Sequence, residues 1–308
     1  MKRMKKPYHL LAGLVALVLL GGAVACGSDD DEQVAEAVPA SPAVTSAAYT
    51  SATHGGTHTQ AVAPAAITVT ARDFHLDAPD TFPAGRVAVT FRNEGQETHH
   101  AQFVRLNDGV TMDQFAAALA QGPEAAAALG TDAAGPGAVA PGKSTTITQD
   151  LTAGAYVMLC FIPGADGVPH VAKGMLHPFQ VSGSASVAAE QLSDGEVILG
   201  DFTILMPEMK SGTNTLTVTN AGRHSHEVVF ARLTNDATFA DAEPFLRGEG
   251  PEPSIEAMGG TVGMAPGQRA WVTVDLLPGD YLALCFIPDT ASGAPHAFLG
   301  MWATFTVQ

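Results

Sequence analysis

The second half of this 308-residue chain repeats the first half in order and at nearly constant spacing. Four pairs of segments carry the repeat, and corresponding residues lie between 125 and 128 positions apart. The pairs are Asp73-Phe74 with Asp201-Phe202, residues 93–106 with 220–233, Ala140-Pro141-Gly142 with Ala265-Pro266-Gly267, and residues 154–163 with 279–288. This period is too long for a solenoid. It predicts two tandem domains of about 115 residues each, which is near the usual domain size.

Each copy is rich in short β-type segments that are separated by Pro-Gly turns. In the first copy these segments are ITVTARDF, VAVTFRN, AQFVRL, TTITQDL and AYVMLCF. Their β-branched and aromatic residues predict an all-β sandwich. The Ala-rich stretch Met112–Leu129 interrupts the pattern and has apolar residues at helical spacing, so it predicts a helical insertion. The equivalent stretch of the second copy, Asp241–Leu246 and Ile255–Met258, predicts a shorter insertion.

The beginning of the chain is typical of a lipoprotein signal peptide. Four basic residues precede an apolar run from Leu10 to Val24, and small residues precede Cys26. The run is shorter than the roughly 20 residues of a membrane-spanning helix, which favours cleavage and lipidation of Cys26. The alternative is an uncleaved anchor helix. In both cases the rest of the chain is expected outside the cytoplasm, tethered to the outer face of the cytoplasmic membrane.

Composition predicts the remaining boundaries. We expect a signal peptide at 1–25, a lipidated Cys26 with a flexible spacer at 26–65, domain 1 at 66–182, a linker at 183–195 and domain 2 at 196–308. The spacer is rich in Ala, Ser, Thr and Pro and has no apolar periodicity. His54 and His58 lie in it and are assigned no site.

The chain is strongly acidic, with a formal net charge of −16. Loss of residues 1–25 would remove four positive charges and no negative ones. This balance argues against nucleic acid and anionic lipid surfaces as partners, and it favours basic redox proteins.

Each copy contains one cysteine besides Cys26. A Cys160–Cys285 disulfide is one explanation, but it would require equivalent positions of two domains to meet face to face. Ligand spacing favours another explanation, because both copies place a His and a Met after the Cys. The patterns are C-x9-H-x4-M for Cys160, His170 and Met175, and C-x10-H-x4-M for Cys285, His296 and Met301.

A second imidazole comes from earlier in each copy. Alignment of the repeats places His99 opposite His226, whereas His100 aligns with Glu227 and is not shared. A thiolate, two imidazoles and a weak thioether together stabilise both Cu(I) and Cu(II). Taken singly, a buried Cys or Met is more often a core residue. Four ligand types in the same order, twice, favour a metal site.

The two repeated segments resemble the cupredoxins, the group of plastocyanin, azurin and nitrite reductase. The first His of that family lies in N-x-G…H-x-x-x-F, and its last strand reads G-x-Y-x-x-x-C-x-x-P; both occur twice here. The resemblance covers residues 66–181 and 196–308 and implies two Greek-key β-sandwich domains. It also implies two type 1 copper ions, one bound by His99, Cys160, His170 and Met175 and the other by His226, Cys285, His296 and Met301.

Two positions depart from the family pattern. Cupredoxins commonly place an Asn after the first His, where it braces the ligand loops, and this chain has His100 and Glu227 there. Nitrite reductases and multicopper oxidases place a His before the Cys, and this chain has Leu159 and Leu284. The resemblance therefore implies an electron carrier and not an enzyme. The alternatives are a copper-holding or copper-delivery protein, a metal-free sandwich for adhesion or sensing, and a degenerate nitrite reductase-like enzyme.

Overall fold

Residues 63–185 and 188–308 are described by a computed structural model. The predicted signal peptide, the lipidated Cys26, most of the spacer and its His54 and His58 lie outside the described residues. The predicted lipidation and the predicted domain boundaries stay predictions. The described residues all belong to one unit of the chain, and both copies of the repeat lie in it.

Most of the regular structure is β-strand. The first copy, called repeat 1, contains β1 (Ala65–Arg72), β2 (His75–Asp77), β3 (Thr81–Pro83), β4 (Gly85–Asn93), β5 (Gln102–Leu106), β6 (Gly130–Asp132), β7 (Ser144–Leu151), β8 (Gly154–Leu159) and β9 (Leu176–Ser182). The second, repeat 2, contains β10 (Gly195–Gly200), β11 (Thr203–Leu205), β12 (Gly212–Asn220), β13 (His226–Leu233), β14 (Ile255–Met264), β15 (Arg269–Leu276), β16 (Gly279–Leu284) and β17 (Trp302–Val307). The all-β prediction is confirmed, and each of the five segments predicted in repeat 1 overlaps a strand.

Alternating burial explains why these segments form sheets. In β4 the side chains of Val87, Val89 and Phe91 are fully buried, whereas the residues between them are partly exposed. A period of two places one face of the strand on the core. In each repeat the first long strand pairs in parallel with the second long strand, β1 with β4 and β10 with β12. In repeat 1 the intervening strand β3 belongs to the other layer, where it pairs with β9.

One sheet runs through both repeats. Its eight strands have the order β11-β10-β12-β15-β7-β4-β1-β2, and the antiparallel pair β7–β15 joins the repeats with Ile147 opposite Val272. The other layer consists of two sheets, β14-β13-β16-β17 and β3-β9-β8-β5-β6. Isolated bridges such as Pro136 with Thr261 link them. The repeats thus share hydrogen bonds in both layers and one hydrophobic core.

Close backbone approach at this junction depends on glycine. The Gly137 N–H donates to the Gly260 carbonyl at 3.0 Å, and a Cβ on Gly137 would lie 2.5 Å from the carbonyl carbon of Gly260. A Cβ on Gly260 would collide with the carbonyl of Val228. A side chain at Gly137 would therefore push the repeats apart, and one at Gly260 would push β14 away from β13.

Three short α-helices lie in the insertions. Repeat 1 has α1 (Met112–Leu119) and α2 (Pro123–Ala127) instead of one continuous helix, because Gly122 has a φ of 139° and a proline follows it. Repeat 2 has α3 (Phe239–Leu246), which confirms the first part of the predicted insertion. The second part is wrong, since Ile255–Met258 belongs to β14, where it pairs with β13.

The helices cover the outer face of the second layer. In repeat 1, Phe115 of α1 packs with Val157 and Leu159 of β8. In repeat 2, Phe245 of α3 packs with Leu284 of β16. These strands are therefore buried on both faces. Within the described part of the chain, no helix has the length and apolar character that crossing a membrane requires.

Candidate metal centres

Two buried clusters of histidine and cysteine occupy equivalent places in the two repeats. Site 1 contains His99, Cys160 and His170, and site 2 contains His226, Cys285 and His296. Within each site the ligand atoms all lie within 4.8 Å of one another. All six residues are at most 1% exposed. Both cysteines are free thiols, so the alternative Cys160–Cys285 disulfide is absent.

The spacing of the site 1 atoms fits a single metal ion. The Nδ1 atoms of His99 and His170 are 3.0 Å apart, and the Cys160 Sγ lies 3.9 and 3.4 Å from them. Around one transition-metal ion, with nitrogen at about 2.0 Å and sulfur at about 2.3 Å, such ligands are roughly 3.3–3.7 Å apart. The three atoms therefore converge on a common centre.

Site 2 has nearly the same geometry. Nδ1 of His296 lies 3.2 Å from Nδ1 of His226 and 3.5 Å from Sγ of Cys285. Both histidines of each site present Nδ1 to the centre, and the Nε2 atoms of His99, His170 and His226 contact carboxylates.

Backbone hydrogen bonds tie the Cys, His and Met of site 1 together. Cys160 follows β8, and His170 begins a 3-10 helix (His170–Lys173) that ends at Gly174 with a φ of 96°. The Cys160 N–H donates to the Met175 carbonyl at 3.1 Å, and the Met175 N–H donates to the His170 carbonyl at 3.0 Å. Met175 is fully buried in the same core cluster as Cys160.

Repeat 2 reproduces this arrangement. A second 3-10 helix (His296–Leu299) ends at Gly300, and the Met301 N–H donates to the His296 carbonyl at 2.9 Å. Met301 is fully buried in the core cluster that contains Cys285. The structure thus brings two histidines and the cysteine of each predicted site together and links the methionine to them through its backbone. The donor set of two imidazoles, one thiol and one thioether fits copper.

An aspartate orients the first histidine in both sites. His99 Nε2 lies 3.0 Å from Asp73 Oδ1, and His226 Nε2 lies 3.1 Å from Asp201 Oδ1. An imidazole that donates from Nε2 keeps Nδ1 free as a ligand. Although partial burial raises the pKa of Asp73, hydrogen bonds from His99 and two backbone N–H groups bring that pKa below its usual value. Burial lowers the pKa of His99. The pair therefore consists of a neutral His99 ring and an ionised Asp73 carboxylate.

The Asn-x-Gly segment makes room for this pair. A Cβ on Gly222 would lie 2.6 Å from both Asp201 Oδ1 and His226 Nε2, and Gly95 is placed in the same way in repeat 1. Asn93 is buried and makes three hydrogen bonds, donating to the carbonyls of Glu97 and Val139 and accepting from Gly95 N–H. The motif therefore shapes the loop that carries the first histidine.

His100 and Glu227 occupy the position after the first histidine, where the family pattern has a bracing Asn, and each makes a hydrogen bond of that kind. The Phe161 N–H donates to His100 Nε2 at 2.9 Å, and the Phe286 N–H donates to Glu227 Oε1 at 2.7 Å. Each bond joins the loop of the first histidine to the residue after the cysteine. Burial lowers the pKa of His100 to about 3 and raises the pKa of Glu227 to about 7.

Burial also keeps the thiols protonated when no metal is bound. It raises the pKa of Cys160 to about 12 and raises that of Cys285 as well. A metal ion would displace the proton, because the thiolate is the ligand.

The residue before each cysteine faces away from the site. Side chains alternate along a strand, so Leu159 points into the helix-covered cluster of repeat 1 while Cys160 points into the core. Leu284 and Cys285 behave in the same way. The side chains that pack with Leu159 and Leu284 in these clusters are apolar and are not metal ligands.

Several residues at the sites were missed by sequence reasoning. Asp73 and Asp201 were recognised only as repeated positions, and the Phe that follows each packs edge-on against the second histidine, at 5.3 Å for Phe74 and 5.1 Å for Phe202. Both phenylalanines have a positive φ, which costs of order 1–3 kcal/mol in a non-glycine residue. The recurrence of this Asp-Phe pair in both repeats was the sequence signal that could have identified these residues. Glu97 has no counterpart in repeat 2 and gave no such signal.

The fold is cupredoxin-like. It has two layers of sheet and a parallel strand pair in each repeat, with a buried His–Cys–His group at the end of β8 and of β16. No family model matches the chain, and no curated protein does. Similar solved structures include auracyanin A, a "blue" copper protein from Chloroflexus aurantiacus, at 19% identity over 39% of this chain and 99% of that one, with a TM-score of 0.26.

Copper enzymes also occur among the similar structures. A multicopper oxidase matches at 16% identity over 79% of this chain and 88% of that one, with a TM-score of 0.24. A copper-containing nitrite reductase from Thermus scotoductus matches at 11% identity over 79% and 61%, with a TM-score of 0.21. At these values the likeness concerns the fold alone.

Proposed function

We propose that this chain is an exported, lipid-anchored copper protein that carries electrons through two type 1 copper sites. The observation that carries the proposal is the closed ligand cluster of each repeat. Two Nδ1 atoms and one Sγ converge within 4.8 Å, and a buried methionine is hydrogen-bonded through its backbone to the cysteine and the second histidine. Copper in a Cys–His–His plane with a weak axial thioether supplies a one-electron couple.

The residues around the ligands favour this couple because they hold the ligand geometry. Asp73 and Asp201 fix the first histidines, and His100 and Glu227 hold the loops of the cysteines. Buried ligands supported in this way need little rearrangement when the charge of the site changes. The six ligand residues are also buried from solvent, which favours electron transfer over turnover of a bound substrate.

The surroundings of the cysteines support a carrier over an enzyme. A second, catalytic copper would need histidines near the first, yet Leu159 and Leu284 lie in apolar clusters beneath the helices. Among the described residues, only the two His–Cys–His groups have the arrangement of a metal site. A degenerate reductase centre has no support in these contacts.

The proposed location and partners are supported by the sequence alone. The lipoprotein-type leader favours attachment of Cys26 to the outer face of the membrane, and the spacer would allow the domains to reach partners at a distance. The net charge of −16 favours basic redox proteins and disfavours nucleic acid.

Voltammetry together with a metal-transfer assay tests the proposal. We expect the copper-loaded protein to show a reversible one-electron couple and to retain Cu(I) in the presence of a chelator of moderate affinity. The Cys160→Ser, Cys285→Ser double variant is the control for copper held elsewhere. Rapid transfer of Cu(I) to the chelator without a reversible couple would support a delivery protein, and absence of copper from both proteins would support a metal-free sandwich.

A further inference from the structure

We propose that Glu97 holds the reduction potential of site 1 below that of site 2, so that one electron shared between the sites resides mainly at site 2. The inference rests on the proposed function, because it requires copper in both sites. It arises from a carboxylate that contacts the second histidine in only one of the two clusters.

Glu97 contacts the second histidine of site 1 directly. Its Oε2 lies 2.8 Å from Nε2 of His170, whose side chain is fully buried. Nδ1 of the same ring faces Cys160 and His99. The Nε2–H therefore donates to the carboxylate while Nδ1 stays available to the metal, so Glu97 acts through the ligand and does not replace it.

A carboxylate in this position favours the oxidised site. A hydrogen bond from imidazole to carboxylate raises the basicity of the ligand. The negative charge is also attracted more strongly to a dipositive than to a monopositive ion, and screening is weak where the ring between them is buried. Both effects stabilise Cu(II) over Cu(I) and lower the reduction potential.

Among the described residues, no carboxylate makes the equivalent hydrogen bond to His296 in repeat 2. Alignment places His224 at the position of Glu97, and an imidazole brings no negative charge in either protonation state. The centroid of its ring lies 6.3 Å from that of His296. The first histidines do not distinguish the sites, because Asp73 and Asp201 contact them in the same way.

An aspartate near site 2, Asp289, interacts with His296 through its charge, while its Oδ2 is engaged by other groups. Asp289 Oδ2 accepts hydrogen bonds from the N–H groups of Ala291 and Ser292 and from the Ser292 hydroxyl. Its counterpart in repeat 1 is Gly164, where a Cβ would lie 2.9 Å from Glu97 Oε2. Gly164 thus provides the space that the Glu97 carboxylate occupies.

Nearby cations do not cancel the difference. The Lys173 ammonium in repeat 1 is paired with Asp166 at 2.7 Å. In repeat 2, Arg223 is paired with Asp201, but its side chain is 92% exposed and its charge is screened by solvent. The residue after the first histidine also differs, because repeat 2 has Glu227 where repeat 1 has His100, but the Glu227 Oε1 accepts a hydrogen bond from the Phe286 N–H and not from a ligand side chain. Glu97 therefore differs from Glu227 in being hydrogen-bonded directly to a ligand ring.

Spectroelectrochemical titration of single-site chains tests the inference. In the full chain, Cys285→Ser leaves site 1 and Cys160→Ser leaves site 2. We expect site 1 to have the lower midpoint potential, with at least a tenfold bias of the electron toward site 2, or about 59 mV for a one-electron couple. Glu97→Gln in the site 1 chain should raise its potential, and His224→Glu in the site 2 chain should lower that of site 2.

Glu94→Gln is the matched control, because Glu94 lies in the same loop, pairs with Arg72 and contacts no ligand. If Glu97→Gln fails to load copper, Glu97→His introduces the residue of repeat 2 and should raise the potential in the same direction. Equal potentials, or a Glu97→Gln shift no larger than that of Glu94→Gln, would overturn the inference while leaving two blue sites. Absence of a blue band from both single-site chains would instead overturn the proposed function.

Discussion

Replacement of Asn93 by Ala tests how the fold holds the first histidine of site 1. The Asn93 side chain is only 2% exposed and makes three hydrogen bonds of 2.7 to 2.9 Å. One of them goes to the Val139 carbonyl, which also accepts from the His99 N–H at 3.2 Å. The substitution therefore removes bonds from both the loop and the strand beside it.

The size of the effect follows from these bonds. A typical hydrogen bond contributes about 1 kcal/mol net, and buried partners left unsatisfied raise the cost. We expect Asn93→Ala to lower the free energy of unfolding of the copper-free protein by about 3 kcal/mol, measured by urea denaturation. Loss of a supporting residue near a metal ligand typically weakens binding by about 10- to 100-fold. In the Cys285→Ser background, Cu(II) should bind site 1 at least about tenfold more weakly, measured by competition with a chelator.

Asn214 supplies a matched control within the same chain. It is 4% exposed and makes three similar bonds, donating to the carbonyls of Lys210 and Gly212 and accepting from Lys210 N–H, away from both sites. Asn214→Ala should cost a similar amount of stability without weakening copper binding. A loss below about 1 kcal/mol for Asn93→Ala, or an equal loss of copper affinity in Asn214→Ala, would refute the reasoning, since bonds of this kind are each worth about 1 kcal/mol.

Three further predictions concern the brace, the junction and pH. His100→Leu should broaden the blue band of site 1, because the Phe161 N–H loses its acceptor, whereas His100→Asn should preserve the band; identical spectra would contradict the brace. Gly137→Ala should lower the free energy of unfolding by about 2 kcal/mol, since its methyl group would press on the backbone of Gly260, and an unchanged urea midpoint would contradict this. Burial raises the pKa of Asp132, which joins the repeats through Ser225. The protonated form of Asp132 is thus favoured in the folded state. The free energy of unfolding of the native chain, relative to that of Asp132→Asn, should therefore fall as pH rises from about 4, the usual pKa of an unfolded aspartate, through the raised pKa. A difference that stays constant with pH would argue against a raised pKa.

Ligand types and strand segments could be predicted from the sequence because repetition separates them from chance. A single buried Cys resembles any core residue, but Cys160 and Cys285 are each followed by His and Met at the same spacing. The β-branched and aromatic residues between Pro-Gly turns likewise predicted the strands. The wrong assignment of Ile255–Met258 arose because a short apolar run reads alike in a helix and in a buried strand, and only pairing with β13 decides between them.

Strand pairing between the repeats could not be predicted, since the residue pattern of one strand does not determine which other strand it pairs with. The β7–β15 pair that unites the eight-stranded sheet depends on contacts across 125 residues of sequence between Ile147 and Val272. The role of Glu97 was also invisible, because it depends on an ionic contact with His170 that occurs in only one repeat. A residue present once cannot be distinguished by recurrence.

The central claim, two independent type 1 copper sites, is tested most directly by the copper content and visible spectrum of the purified protein. We predict two copper ions per chain and an intense thiolate-to-copper band for the native protein. Cys160→Ser and Cys285→Ser should each retain one ion and about half of the band, because each site takes its thiolate from its own repeat. A copper-reconstituted native protein that shows no such band would contradict the account.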